Sequence, residues 1–165
     1  MVIIRKLWDF LLSAQKFILF LSSIAIVLGI SLQVFFRYVL EINLFGMEEV
    51  IIIFAFWLYF IGASYGTYEK SHISADIVTV YIKNKSLQAI MKMIVSIITL
   101  ILCLLFTYWS VDFFMWGIEQ GATSTSLHIP MTIPQSSIFI GFILMSFYLI
   151  VHFIQDLMNL FLSSR

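Results

Sequence analysis

Four apolar stretches, each at least as long as a helix needs to cross a lipid bilayer, decide what this chain can fold into. They cover residues 17–39, 47–68, 90–115 and 133–160 of 165, and about 20 helical residues cross a hydrocarbon core of about 30 Å. Backbone N–H and C=O groups in that core find no water, so each stretch must satisfy its own hydrogen bonds, as a helix does within one segment. A β-barrel would show short alternating segments instead. Composition agrees: 62% of the residues are hydrophobic and 11% charged, whereas about a quarter of a soluble domain is charged. The expected fold is an all-α integral membrane protein, with residues 1–165 forming a single membrane domain of four transmembrane helices.

Arg5, Lys6, Lys16, Lys70, Lys83, Lys85, Lys92 and Arg165 fall on one side of such an arrangement, and only Arg37 falls on the other. Basic residues concentrate on the cytoplasmic face, so both termini are expected in the cytoplasm, in a bacterial inner membrane. Residues 2–15 mix Leu7, Trp8, Leu11 and Leu12 with Arg5, Lys6, Asp9 and Ser13. That pattern predicts an amphipathic helix lying in the membrane interface; the alternative is an ordinary flexible terminus. The apolar run from Phe17 is long and no small-residue cleavage site follows it, so the first helix is expected to stay as an anchor. Residues 69–85 read as a polar connection with a short helix around 77–82. Residues 117–134 read as an irregular outer loop rich in Ser and Thr, with Pro134 suited to the first turn of the fourth helix.

The centre of every span is free of Asp, Glu, Lys and Arg. An ionisable residue deep in a span is a functional candidate by default, and a self-sufficient ion-coupled transporter carries one, or an interrupted helix, near the midplane. The lack of both points to a supporting role. A small homodimeric multidrug exporter would need a carboxylate in the first span, and residues 17–32 have none. A membrane enzyme would need polar groups converging on one site. Cys103, the single cysteine, can form neither an internal disulfide nor a redox pair. Zero net charge gives no reason to expect a nucleic-acid partner.

Charges gather at span ends. Arg37 closes the first span while Glu48 and Glu49 open the second, so an Arg–carboxylate pair would pin the hairpin between them or help shape an outer docking surface. In the second span, Gly62 and Gly66 with Ala55 and Tyr59 form a face with small residues four apart, which lets another helix approach closely. His72 and Asp76 stand four apart in the connection, and His152 and Asp156 repeat the spacing near the end of the fourth span. Two ligands fall short of the three or four a zinc site takes, so capping or local salt bridges are expected and no metal site. Asp112 and Glu119 read as solvated, and Trp8, Trp57, Trp109 and Trp116 as interface or packing residues.

Taken in order, several segments resemble the small membrane subunit of TRAP transporters, the tripartite ATP-independent periplasmic systems. They are Gln33-Val34-Phe35-Phe36-Arg37-Tyr38-Val39-Leu40, then Glu48-Glu49 with Trp57 eight residues beyond, and Phe60-Ile61-Gly62-Ala63. His72-Ile73-Ser74-Ala75-Asp76 follows, then Ser126-Leu127-His128-Ile129-Pro130 and Pro134. Phe45-Gly46-Met47 departs from the pattern, because many members carry a tryptophan before the acidic pair. The resemblance implies a small scaffold subunit of a sodium-coupled uptake transporter for small organic acids. It would pack one-to-one beside a large polytopic membrane subunit that binds sodium and substrate, and would help dock the periplasmic substrate-binding protein. It implies no catalysis and no cofactor on this chain. Arg37, Glu48, Glu49, Trp57, Gly62, Gly66, His72, Asp76, Ser126 and Pro130 are then structural or interface residues. The competing expectations are an independent homo-oligomeric four-helix transporter and an accessory subunit of another membrane complex.

Overall fold

A computed structural model describes residues 2–69 and 85–163. Four helices account for most of them: α1 (Val2–Tyr38), α2 (Met47–Tyr68), α3 (Lys85–Gln120) and α4 (Thr132–Ser163). Each contains a window long and apolar enough to span a membrane. Among the described residues there is no strand, only an isolated bridge between Thr123 and Pro130.

The amphipathic stretch over residues 2–15 is helical, but no break separates it from the first span. Residues 2–28 contain neither Gly nor Pro, so nothing in the chain ends the helix there. α1 runs on for 37 residues, about 55 Å, well beyond the thickness of a hydrocarbon core. It stops where Glu41 turns left-handed (φ 54°) and the Ile42 N–H donates back to the Phe36 carbonyl at 3.0 Å. α2 starts at Gly46, whose φ of 86° suits a residue without a Cβ. α3 ends at Gly121, left-handed at φ 57°, the position where a glycine commonly closes a helix. Pro134 sits in the first turn of α4, where its missing N–H leaves no helical bond unmade.

The helices form an open layer in the order α1–α2–α4–α3, with α1 and α3 at the edges. The seams between them are built from small and hydroxyl residues: Ser22, Ser64, Ser110, Ser137 and Ser146 are all buried. The large apolar side chains point outward instead, with Phe17 65% and Phe20 67% exposed. Lipid tails are as apolar as leucine, so membrane helices associate through close backbone approach and hydrogen bonds rather than by hiding apolar surface. At the α2–α4 seam a Cβ on Gly141 would lie 2.7 Å from Phe60 Cβ and 2.9 Å from the Phe60 carbonyl oxygen. At the α3–α4 seam Thr107 Oγ1 donates to the Cys103 carbonyl (2.8 Å) and shares a 2.8 Å hydrogen bond with Ser146 Oγ, which also lies 3.3 Å from Cys103 Sγ. The face of α3 that meets α4 carries Ser96, Cys103, Thr107, Ser110 and Gly117, spaced at multiples of three and four so that they share one side of the helix.

Candidate functional site

The end of the layer where α1 stops and α2 starts carries the densest polar structure. Glu48 and Glu49 occupy the first turn of α2, where negative charge is favoured by the helix dipole. The two carboxylates do different things. Glu48 is exposed and accepts a 2.8 Å hydrogen bond from Gln33 Nε2, which ties the last turns of α1 to the first turn of α2.

Glu49 reaches into the loop between α3 and α4. Its Oε2 accepts from Ser124 Oγ at 2.7 Å and from the Leu127 N–H at 2.9 Å. Its Oε1 accepts from Thr125 Oγ1 at 3.0 Å and from the Ser126 N–H at 2.8 Å. Four donors from four consecutive residues thus converge on one carboxylate, which as an ion is acceptor-only and able to take all of them. The loop is shaped for this. Ser124 N–H donates to the Ile129 carbonyl and Met131 N–H to the Ala122 carbonyl, both at 2.9 Å, while the Ile129 N–H donates to Ser124 Oγ at 3.0 Å. These bonds close a small hairpin-like turn, with His128 left-handed at φ 53°. Gly46 provides the seat: a Cβ there would lie 2.5 Å from Leu127 Cγ, so only glycine lets Leu127 come down over the start of α2.

The pairing of Arg37 with the acidic pair does not form. Arg37 is exposed, and its guanidinium lies 5.8 Å from the centre of the Tyr38 ring. Both Glu49 oxygens are already filled by the loop, and Glu48 accepts from Gln33 instead. Ser126, expected from the sequence, is a donor to Glu49 through its backbone. Pro130 pairs with Thr123 across the turn, and its carbonyl accepts the Ile133 N–H at 3.1 Å where α4 begins. Trp57 is half-buried midway along α2. Gly62 faces α1, with Leu19 Cδ2 3.5 Å from where its Cβ would stand; Gly66 is half-buried near the end of α2. His72, Asp76 and the short helix around 77–82 lie outside the described residues. Ser124, Thr125 and Leu127 belong to the site although no Asp, Glu, Lys or Arg stands within four residues of them in sequence, and Gly46 belongs to it as the seat before the acidic pair.

The opposite end of the layer is held differently. Trp8 of α1 packs on Tyr68 of α2 and on Phe147 and Tyr148 of α4, with ring centres 5.6–5.9 Å apart. Buried Gln15 donates through Nε2 to the Tyr148 hydroxyl at 2.8 Å. His152 Nε2 stands 3.2 Å from the carbonyls of both Thr67 and Tyr68. Two acceptors facing one nitrogen place the proton on Nε2, and the imidazole closes the C-terminal end of α2 from a neighbouring helix. On the exposed side of α3, Asp112 and Glu119 line an open groove of about 350 Å³ with Trp109, Phe113, Met115 and Trp116.

None of these groupings joins a nucleophile to a base; they fix helix ends and a loop. A family model described as tripartite ATP-independent periplasmic transporters, DctQ component, matches residues 26–159. The match takes in the last third of α1, all of α2 and α3, most of α4 and the loop that Glu49 holds. No curated protein matches the chain. The DctQ component is a part of a transporter and not an enzyme family, and membership implies a large membrane subunit and a periplasmic binding protein as partners. By that match over most of its length, the chain belongs to the DctQ component family of tripartite ATP-independent periplasmic transporters.

Proposed function

We propose that this chain is the static small subunit of a sodium-coupled uptake system for small organic acids. It packs one-to-one beside the large membrane subunit and helps receive the loaded periplasmic binding protein. The observation that carries this reading is the loop fixed on Glu49. A binding protein that docks and leaves repeatedly is best met by a surface that does not reorganise on each encounter, and four hydrogen bonds to one carboxylate order residues 124–127 in advance. Thr125, Ser126, Leu127 and His128 are exposed there, offering hydrogen-bonding groups with no Lys, Arg, Asp or Glu among them.

Sodium and substrate belong to the large subunit in this reading, because the spans here have no charged side chain at their centres. Eight basic residues on the opposite side from the loop support cytoplasmic termini by the positive-inside rule, with the loop toward the binding protein in the periplasm of a bacterial inner membrane. The test has two parts. Mass spectrometry of the intact complex, purified from native membranes, should give one copy of this chain with one much larger polytopic protein. Glu49→Ala should lower transport with substrate preference unchanged. A homodimer lacking any other protein, or a change in which substrate is carried, would overturn the proposal.

A further inference from the structure

Tyr59 lies within one turn of the middle of α2, is 76% exposed, and makes no hydrogen bond among the described residues. Tyrosine is at home at the membrane interface, where its hydroxyl is wet. From the middle of a span the interface is about 15 Å away, farther than a tyrosine side chain extends, so this hydroxyl cannot snorkel to water. Left in hydrocarbon it lacks an acceptor, which is unfavourable. Small residues flank it along one side of this face, with Phe56 on the other. Ala55 stands four residues before it, and Gly62, at the edge shared with α1, three after; Ile52, one turn further on the same face, is 51% exposed.

A second exposed phenol offers a comparison. Tyr108 on α3 is 71% exposed and stands as far from the loop end of its helix as Tyr59 does from the start of α2. Its neighbours at the same offsets are Leu104 and Val111, 45% and 39% exposed. Bulky side chains on both sides hold another backbone away, while small ones allow it in.

We infer that the α2 face centred on Tyr59 seats a transmembrane helix of the large membrane subunit, which presents a hydrogen-bond acceptor to the Tyr59 hydroxyl. The inference rests on the small-subunit reading above and names the face through which it acts. Ala55 lets the incoming backbone come close, Gly62 being turned toward α1, and the phenol fixes its register.

The test uses the full chain co-expressed with its large subunit in membranes. A photoreactive benzophenone replaces Ile52 (Ile52→p-benzoylphenylalanine), leaving Tyr59 intact, and in a second variant replaces Leu104 beside Tyr108. Irradiation should attach the large subunit at position 52 and not at 104. Tyr59→Phe, which removes one oxygen from an exposed ring and leaves folding alone, should lower recovery of the pair in detergent roughly threefold, the factor for an average interhelical hydrogen bond in a membrane. Tyr108→Phe should leave recovery unchanged. An adduct only to lipid or to a second copy of this chain at position 52, or a large-subunit adduct at 104 alone, overturns the assignment. If the unsubstituted chain brings down no large subunit at all, the small-subunit reading itself falls, and the Tyr59 assignment falls with it. An intact pair with no adduct at 52 sinks only the Tyr59 face.

Discussion

Gly141→Ala adds one methyl group where α4 crosses α2. The new carbon would lie 2.7 Å from Phe60 Cβ, 2.9 Å from the Phe60 carbonyl oxygen and 3.1 Å from its carbonyl carbon. Carbon atoms attract best at about 3.5–4.0 Å, so the helices must part by about 1 Å, because two of the three obstructing atoms are backbone and no rotamer change moves them. A gap of that size forfeits about a quarter to a half of the dispersion energy of the pairs it opens. The pairs include the contact of Phe60 with Phe142, whose ring centres are 5.9 Å apart. Overpacking costs about 1–3 kcal/mol, and the middle of that range, about 2 kcal/mol, is roughly a 30-fold shift in the folding equilibrium. Gly62→Ala is the matched control. Its Cβ meets only the tip of Leu19 at 3.5 Å, an ordinary contact, so stability should stay within about 0.5 kcal/mol. Unfolding in mixed micelles titrated with dodecyl sulfate, followed by circular dichroism, separates the two. Equal midpoints for Gly141→Ala and the parent chain, or a larger loss for Gly62→Ala, would refute the reasoning.

Two other perturbations address the remaining contacts. Thr107→Val and Ser146→Ala each break the hydroxyl pair between α3 and α4; a double-mutant cycle in the same micelles should give a coupling of about 0.6 kcal/mol and not above about 1.7, and additive losses would show that the pair contributes nothing. At the other end, Tyr148→Phe leaves the buried Gln15 amide with no partner and should cost about 1–3 kcal/mol. Gln15→Leu leaves the buried Tyr148 hydroxyl without that donor but also removes a buried oxygen that has no partner, and should cost less. The reverse order would mean that the glutamine, not the tyrosine, holds that end.

The spans are legible in the sequence because hydrocarbon demands them, and four apolar runs separated by polar connections leave little choice. Glu49 is legible as a residue of consequence, being an acid at the start of a span. Its partners are not, because the donors lie 75–78 residues away and two of the four are backbone amides, which have no sequence signature. Arg37 is near in sequence, yet proximity along the chain does not rank it against a loop that encloses the carboxylate. The unbroken α1 was hidden by a change in composition at residue 16. Apolar and amphipathic stretches can share one helix if neither Gly nor Pro intervenes. The seams left a fainter trace. Ser137 and Gly141 stand four apart on α4, and Ser96, Cys103, Thr107, Ser110 and Gly117 recur on one face of α3. In a chain dominated by Ile, Leu and Phe, those small residues mark the contact faces more directly than any apolar periodicity.

The long-range contacts divide the chain into two helical hairpins, α1–α2 and α3–α4, joined along α2 and α4. Each end of that seam is latched by a different chemistry. At one end a carboxylate gathers a loop. At the other, an aromatic cluster, the Gln15–Tyr148 hydrogen bond and the His152 cap bind α1 and α2 to α4. An exposed Arg–Glu pair in place of the loop would be a poor latch, since such pairs contribute about 0–1 kcal/mol and weaken with salt. A carboxylate with four donors also fixes direction, because each oxygen accepts from one hydroxyl and one amide. With both ends of the central seam secured, α1 and α3 can leave their outer faces apolar and uncommitted at the edges of the layer. In the proposed role, a subunit that holds still beside a moving partner needs its polar interactions spent internally. The exposed phenol in the middle of α2 departs from that pattern, which is why the proposed partner face is assigned there.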